Sequence, residues 1–98
     1  MKTIQPEEVQ AKLQAGEVLN LIDVREVDEV ATGHIPGIVH IPLGELESKL
    51  NELNPSTSYI MVCRSGNRSG KATEFLESQG FDVTNMTGGM LAWNGEVK

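Results

Sequence analysis

Short apolar runs rich in β-branched residues alternate along this chain with segments whose apolar positions recur every three or four residues. Runs of the first kind suit strands buried on both faces and the second kind suits amphipathic helices, so the alternation predicts βα units around a largely parallel sheet. Leu19 to Val24, Ile38 to Ile41, Tyr59 to Val62 and Val83 to Thr87 read as strands, the first broken at its end by the paired opposite charges of Asp23 and Arg25. A helix opens at Pro6, with Glu7 and Glu8 at the positive end of its dipole and Val9 and Leu13 sharing a face, and it ends at Gly16. A short acidic helix covers Glu26 to Thr32. Leu43, Leu46, Leu50 and Leu53 fall at helical spacing, and Pro55-Ser56 stop that helix. Another helix carries Ala72, Phe75 and Leu76 on its inner face and is capped by Gly80. Gly33-His34-Ile35-Pro36-Gly37 forms a turn, and Gly88-Gly89 leads to a short last helix whose Trp93 is expected in the core.

Composition narrows what this pattern can be. With 98 residues, 39% of them hydrophobic and 22% charged, residues 1–98 are expected to form one globular domain. No apolar run approaches the roughly 20 residues of a membrane helix, and no basic-then-apolar signal segment opens the chain. A cytoplasmic protein without membrane insertion is the expectation. The net charge of -6 argues against nucleic acid or anionic membranes as partners. Cys63 is the only cysteine, which excludes an intramolecular disulfide and a four-cysteine zinc site, while the spacing of His34 and His40 matches no familiar zinc pattern. Neither a metal nor any other cofactor is expected.

Where the cations sit changes the picture more than their number. Arg64, Arg68 and Lys71 place three of the eight basic residues in a window without a single acid, directly after Cys63. Cys63 would thus stand at the carboxyl end of a buried parallel strand, the edge at which open α/β sheets bind ligands. The residues that follow, Arg64-Ser65-Gly66-Asn67-Arg68-Ser69, form a polar loop in which Gly66 and Asn67 allow successive backbone N–H groups to turn inward, ahead of a helix N-terminus. Such an anion cradle, reinforced by Arg64 and Arg68, lowers a cysteine pKa from about 8.5 toward or below neutrality and populates the thiolate without a general base. A small inert residue finishing a strand is the commoner fate of a lone cysteine, but a loop with no apolar residue is a poor continuation for one. Gly66 to Thr73 superficially suggests a nucleotide-binding loop. Only three residues separate its glycines and Ala72 follows the lysine, so the phosphate and Mg²⁺ contacts of that motif have no source.

Leu21-Ile22-Asp23-Val24-Arg25-Glu26, Gly33-His34-Ile35-Pro36-Gly37, Cys63 to Ser69, and Gly88-Gly89 followed by Trp93 together resemble the rhodanese, or thiosulfate sulfurtransferase, domain in its small single-domain form. The resemblance spans nearly the whole chain. It implies a rhodanese-like α/β fold, with a central, mostly parallel five-stranded sheet flanked by helices, and a catalytic Cys63 that carries a persulfide. Thiosulfate or another sulfane donor would load the sulfur, and cyanide, glutathione or a protein thiol would remove it. A carrier module loaded and unloaded by protein partners is a second reading. Relatives acting on phosphate or arsenate have one more residue between the cysteine and the closing arginine, whereas Cys63 and Arg68 enclose four; a phosphatase or arsenate reductase is therefore the weaker alternative.

The resemblance also implies roles around the cysteine. Backbone N–H groups from Arg64 to Ser69 would hold the terminal sulfur, with Ser65, Gly66 and Asn67 in the loop and Arg68 closing it. Arg64 would attract the donor or, by a slight preference, brace the loop through Asp23. Arg25 would pair with a carboxylate such as Glu74. His34 would shape a turn near the site rather than act in catalysis. In two-domain relatives a basic residue on the helix after the Asp-x-Arg strand helps bind thiosulfate; the corresponding stretch here, Val27-Asp28-Glu29, is acidic.

Overall fold

Five short strands assemble in a computed structural model that describes residues 1–98. They are β1 (Lys2–Ile4), β2 (Leu21–Asp23), β3 (Val39–His40), β4 (Ser58–Val62) and β5 (Asp82–Met86). The sheet order is β1-β5-β4-β2-β3, and every pairing is parallel rather than most of them. Parallel neighbours require crossovers, which α1 (Pro6–Gln14), α2 (Val27–Ala31) and α3 (Asn67–Ser78) supply together with turns of 3₁₀ helix at Leu43–Glu45, Glu47–Glu52 and Gly89–Ala92. No helix is long and apolar enough to cross a membrane.

The two faces of the sheet follow from strand alternation. Ile22, Val24, Met61, Cys63 and Val83 point to one side, where Ala72 and Leu76 of α3 and Leu46 cover them. Leu21, Val62 and Met86 point to the other, where Val9 of α1 and Ile35 cover them. Trp93 is half-buried against this second cluster, its indole N–H donating to the Glu96 carbonyl at 3.1 Å, so it borders the core with its polar edge satisfied.

Two elements differ from expectation. The leucine segment forms 3₁₀ turns instead of one α-helix, with i to i+3 bonds from Leu46 to Leu43, Lys49 to Leu46 and Leu53 to Leu50. Leu43 and Leu46, like Leu50 and Leu53, are three apart, a spacing that three residues per turn align against the core as well as an α-helix would. The second is β1. Lys2 and Thr3 are exposed and show no apolar run, and the strand exists because it pairs with β5, reinforced by the ion pair of Lys2 with Asp82. Its information lies in a partner some eighty positions away.

Candidate active site

Parallel alignment brings the carboxyl ends of β2 and β4 together, with Asp23 in register with Val62. Beyond Val62 the chain turns through Cys63, which has 0% exposure, into the loop and α3. Gly66 adopts φ +99, the left-handed conformation that lets the chain reverse and present N–H groups inward before α3 begins. Behind the loop runs the Gly88-Gly89 turn. A Cβ on Gly89 would lie 2.5 Å from the Arg64 carbonyl carbon and the Cys63 carbonyl oxygen, so glycine is what allows the two segments to touch. Met90 N–H donates to the Cys63 carbonyl at 2.8 Å and Leu91 N–H to the Arg64 carbonyl at 3.0 Å, anchoring the start of the loop.

The cradle centres on the sulfur. Gly66 N–H donates to Cys63 Sγ at 3.0 Å, and the Ser69 hydroxyl lies 3.2 Å from the same atom. Burial pushes the Cys63 thiol up, but the Ser69 hydroxyl and the N–H groups of Ser69, Gly66 and Ser65 outweigh it and leave the pKa below the ordinary cysteine value. The lowering therefore comes first from a hydroxyl and backbone dipoles, ahead of the arginines to which the loop composition pointed.

The partners of the arginines differ in part from those expected. Arg68 Nη1 and Nη2 donate to the Glu29 carboxylate at 2.6 and 2.7 Å, so the cation that closes the loop is neutralised by the acidic helix α2. That pairing, led by the side-chain bonds from Arg68, brings Glu29 down to a pKa of about 2. Arg64 is exposed and its side chain makes no hydrogen bond or ion pair; it does not brace the loop through Asp23. Both Asp23 oxygens are already occupied by Arg25, with Nε at 3.0 and 3.1 Å and Nη2 at 2.8 Å. Arg25 accordingly pairs with Asp23 and not with Glu74, which is exposed on α3. The remaining Arg25 contacts go to the carbonyls of Glu29 and Gly33 at 3.4 and 2.8 Å.

Ser65 and Asn67 are exposed on the rim of the loop. His34 stays in its turn: Nδ1 lies 3.2 Å from the Val30 carbonyl oxygen, and its backbone exchanges hydrogen bonds with Lys98 at 3.1 and 2.8 Å. Asn85 is the residue of the site that sequence reasoning missed. Its Oδ1 lies 2.5 Å from the Ser69 hydroxyl, and its Nδ2 donates to the Gly66 carbonyl at 3.1 Å. The available signal was periodicity, since Asn85 is two positions from buried Val83 and a polar side chain on the covered face of a strand requires a partner there.

A family model described as the rhodanese-like domain matches residues 5–96. The chain is 45% identical over 98 residues to the putative sulfurtransferase YtwF of Bacillus subtilis (strain 168), covering 100% of this chain and 95% of that one. It is 46% identical over 88 residues to the putative sulfur carrier protein YrkF of the same organism, covering 89% of this chain and 48% of that relative, so the match spans about half of the longer protein. Among solved structures, a rhodanese-like domain protein from Staphylococcus aureus superposes with a TM-score of 0.95 at 38% identity, covering 100% of this chain and 97% of that one.

Proposed function

This chain belongs to the rhodanese-like domain family, whose relatives include sulfurtransferases, and on that premise we propose that it transfers a sulfane sulfur through a persulfide on Cys63. The Cys63 thiolate attacks the outer sulfur of thiosulfate or another sulfane donor. A new S–S bond forms, the donor's S–S bond breaks, and its electron pair leaves with sulfite or with the donor's thiolate. Charge and oxidation level balance without an added oxidant. The terminal sulfur then bears the negative charge, and loop N–H groups between Arg64 and Ser69 hold it until cyanide, glutathione or a protein thiol removes it.

The observation that carries this reading is the sulfur itself, buried yet surrounded by Gly66 N–H and the Ser69 hydroxyl, donors arranged for an anion. With one cysteine in the sequence, sulfur release falls to an outside acceptor. The test is the intact mass of the reduced protein after excess thiosulfate. A gain of one sulfur atom, lost on adding cyanide and absent in Cys63→Ala, is expected; retention of sulfur transfer by Cys63→Ala would overturn the mechanism. The likeness to a putative sulfur carrier favours one second reading, a module loaded only by protein persulfides. Failure with thiosulfate combined with rapid loading from a protein persulfide would select it.

A further inference from the structure

Ser69 and Cys63 are both 0% exposed and Asn85 is 5% exposed, so the polar atoms between them must satisfy one another. A serine hydroxyl has one hydrogen to donate. Two acceptors stand within its reach, Asn85 Oδ1 at 2.5 Å and Cys63 Sγ at 3.2 Å. The orientation of the amide is set by its other end: Gly66 offers a carbonyl, which only accepts, so Nδ2 faces Gly66 and Oδ1 faces Ser69. Gly70 of α3 lies beside the amide: a Cβ there would stand 3.4 Å from Asn85 Nδ2, in van der Waals contact.

We propose that Asn85 is a positioning residue acting through Ser69, and that its side-chain carbonyl competes with the Cys63 sulfur for the single Ser69 hydroxyl hydrogen. In the thiol form, S–H donates to Ser69 Oγ and the hydroxyl donates to Asn85, which satisfies every group. In the thiolate form the hydroxyl turns to Sγ, and Asn85 Oδ1 is left facing an oxygen that no longer donates to it. Once sulfur is loaded, a step that rests on the sulfurtransferase reading, the charge moves to the outer sulfur and the hydroxyl returns to Asn85. Asn85 thus favours the thiol and the loaded form over the bare thiolate, restraining ionisation and biasing Cys63 toward holding sulfur. Of the charged groups around the loop, Arg68 of α3 is bound to Glu29 of α2 and also attracts the Cys63 anion, Arg25 is held by Asp23 beyond β2, and Arg64 is exposed; none of them touches Asn85, so they set a common baseline for the titrations.

The experiment follows thiolate absorbance against pH in the reduced wild-type protein, Ser69→Ala, Asn85→Ala and the double variant. Ser69→Ala should raise the midpoint. Asn85→Ala should lower it, increasing the thiolate-to-thiol ratio at fixed pH about fivefold, the weight of one ordinary hydrogen bond. In the Ser69→Ala background, Asn85→Ala should shift nothing further. A purely structural role for Asn85 predicts the opposite sign, because freeing the Gly66 carbonyl would loosen the loop and raise the midpoint. A rise or no change in Asn85→Ala, no rise in Ser69→Ala, or an equal fall in both backgrounds overturns the proposal. Asn85→Leu, close in volume and without an acceptor, carries the same test if the alanine variant does not fold. A second readout is the persulfide-to-thiolate ratio at fixed thiosulfate and sulfite, which should fall by the same factor in Asn85→Ala. If the wild type takes up sulfur from no donor, the sulfurtransferase reading fails while the titration still decides the competition for the hydroxyl.

Discussion

The carboxyl ends of β2 and β4 are neighbours, yet they handle buried negative charge in opposite ways. At β2 the anion of Asp23 meets the guanidinium of Arg25, whose remaining donors go to the Glu29 and Gly33 carbonyls. Charge cancels charge, every group is occupied, and no reactive atom remains. At β4 the sulfur of Cys63 meets Gly66 N–H and a shared hydroxyl, and the guanidinium of Arg68 is bound to Glu29. Dipoles stabilise an anion without neutralising it, which is what the proposed attack by the sulfur requires. A full counter-charge builds structure, whereas partial charges from the backbone leave chemistry possible.

Removing one partner at β2 should give the largest effect. Asp23→Ala strands the buried Arg25 and is expected to destabilise the fold by about 3 to 5 kcal/mol, read by denaturant unfolding. Under conditions where the variant remains folded, its thiolate titration should move far less than its stability. Gly89→Ala should show the reverse balance, because its Cβ meets the Cys63 and Arg64 backbone and a φ of +55 strains any side chain there. About 2 kcal/mol of stability should be lost, with a clear rise in the Cys63 thiolate midpoint. Equal effects of both variants on the titration would erase the distinction between the two strand ends.

The Arg68–Glu29 pair lies between these extremes, with side chains 33% and 27% exposed. Glu29 falls from an ordinary 4.5 to about 2 in the folded protein, so its contribution is complete above the ordinary carboxylate range and disappears as pH falls through about 2. Exposure reduces that contribution to about 1 kcal/mol. The stability difference between wild type and Glu29→Gln should accordingly shrink between neutral pH and the acid limit; a constant difference would deny the pair this role. The smallest effect concerns access. Cys63 is buried although Arg64 and Ser65 beside it are exposed, so a bulky maleimide should modify the thiolate a few-fold more slowly than iodoacetamide, measured at one pH.

Much of this architecture was legible because its determinants are local. Period-two and helical patterns, Pro6 at the start of α1, the glycine after α3 and the four residues between Cys63 and Arg68 all act within a few positions of the chain. The alternating apolar runs by themselves therefore determined the α/β class, the ends of most elements and the polar loop at a strand's end. Even the pairing of Asp23 with Arg25, two residues apart, was within reach of that reading.

Tertiary structure decided the rest, and the reason is distance along the chain. Arg68 finds Glu29 across 39 positions, and Ser69 finds Asn85 across 16. Composition cannot distinguish a guanidinium that faces the sulfur from one held by a distant carboxylate, so the positive charge of the loop was legible and the pairing of Arg68 with Glu29 was not. β1 became a strand only on meeting β5, and the leucine segment took 3₁₀ geometry only where it lies against α3 and the sheet. The polar loop after a strand was enough to single out Cys63 as the candidate nucleophile of the proposed reaction; which neighbours would hold its charge emerged only from the fold, because electrostatics depends on separation in space and not on order in the chain.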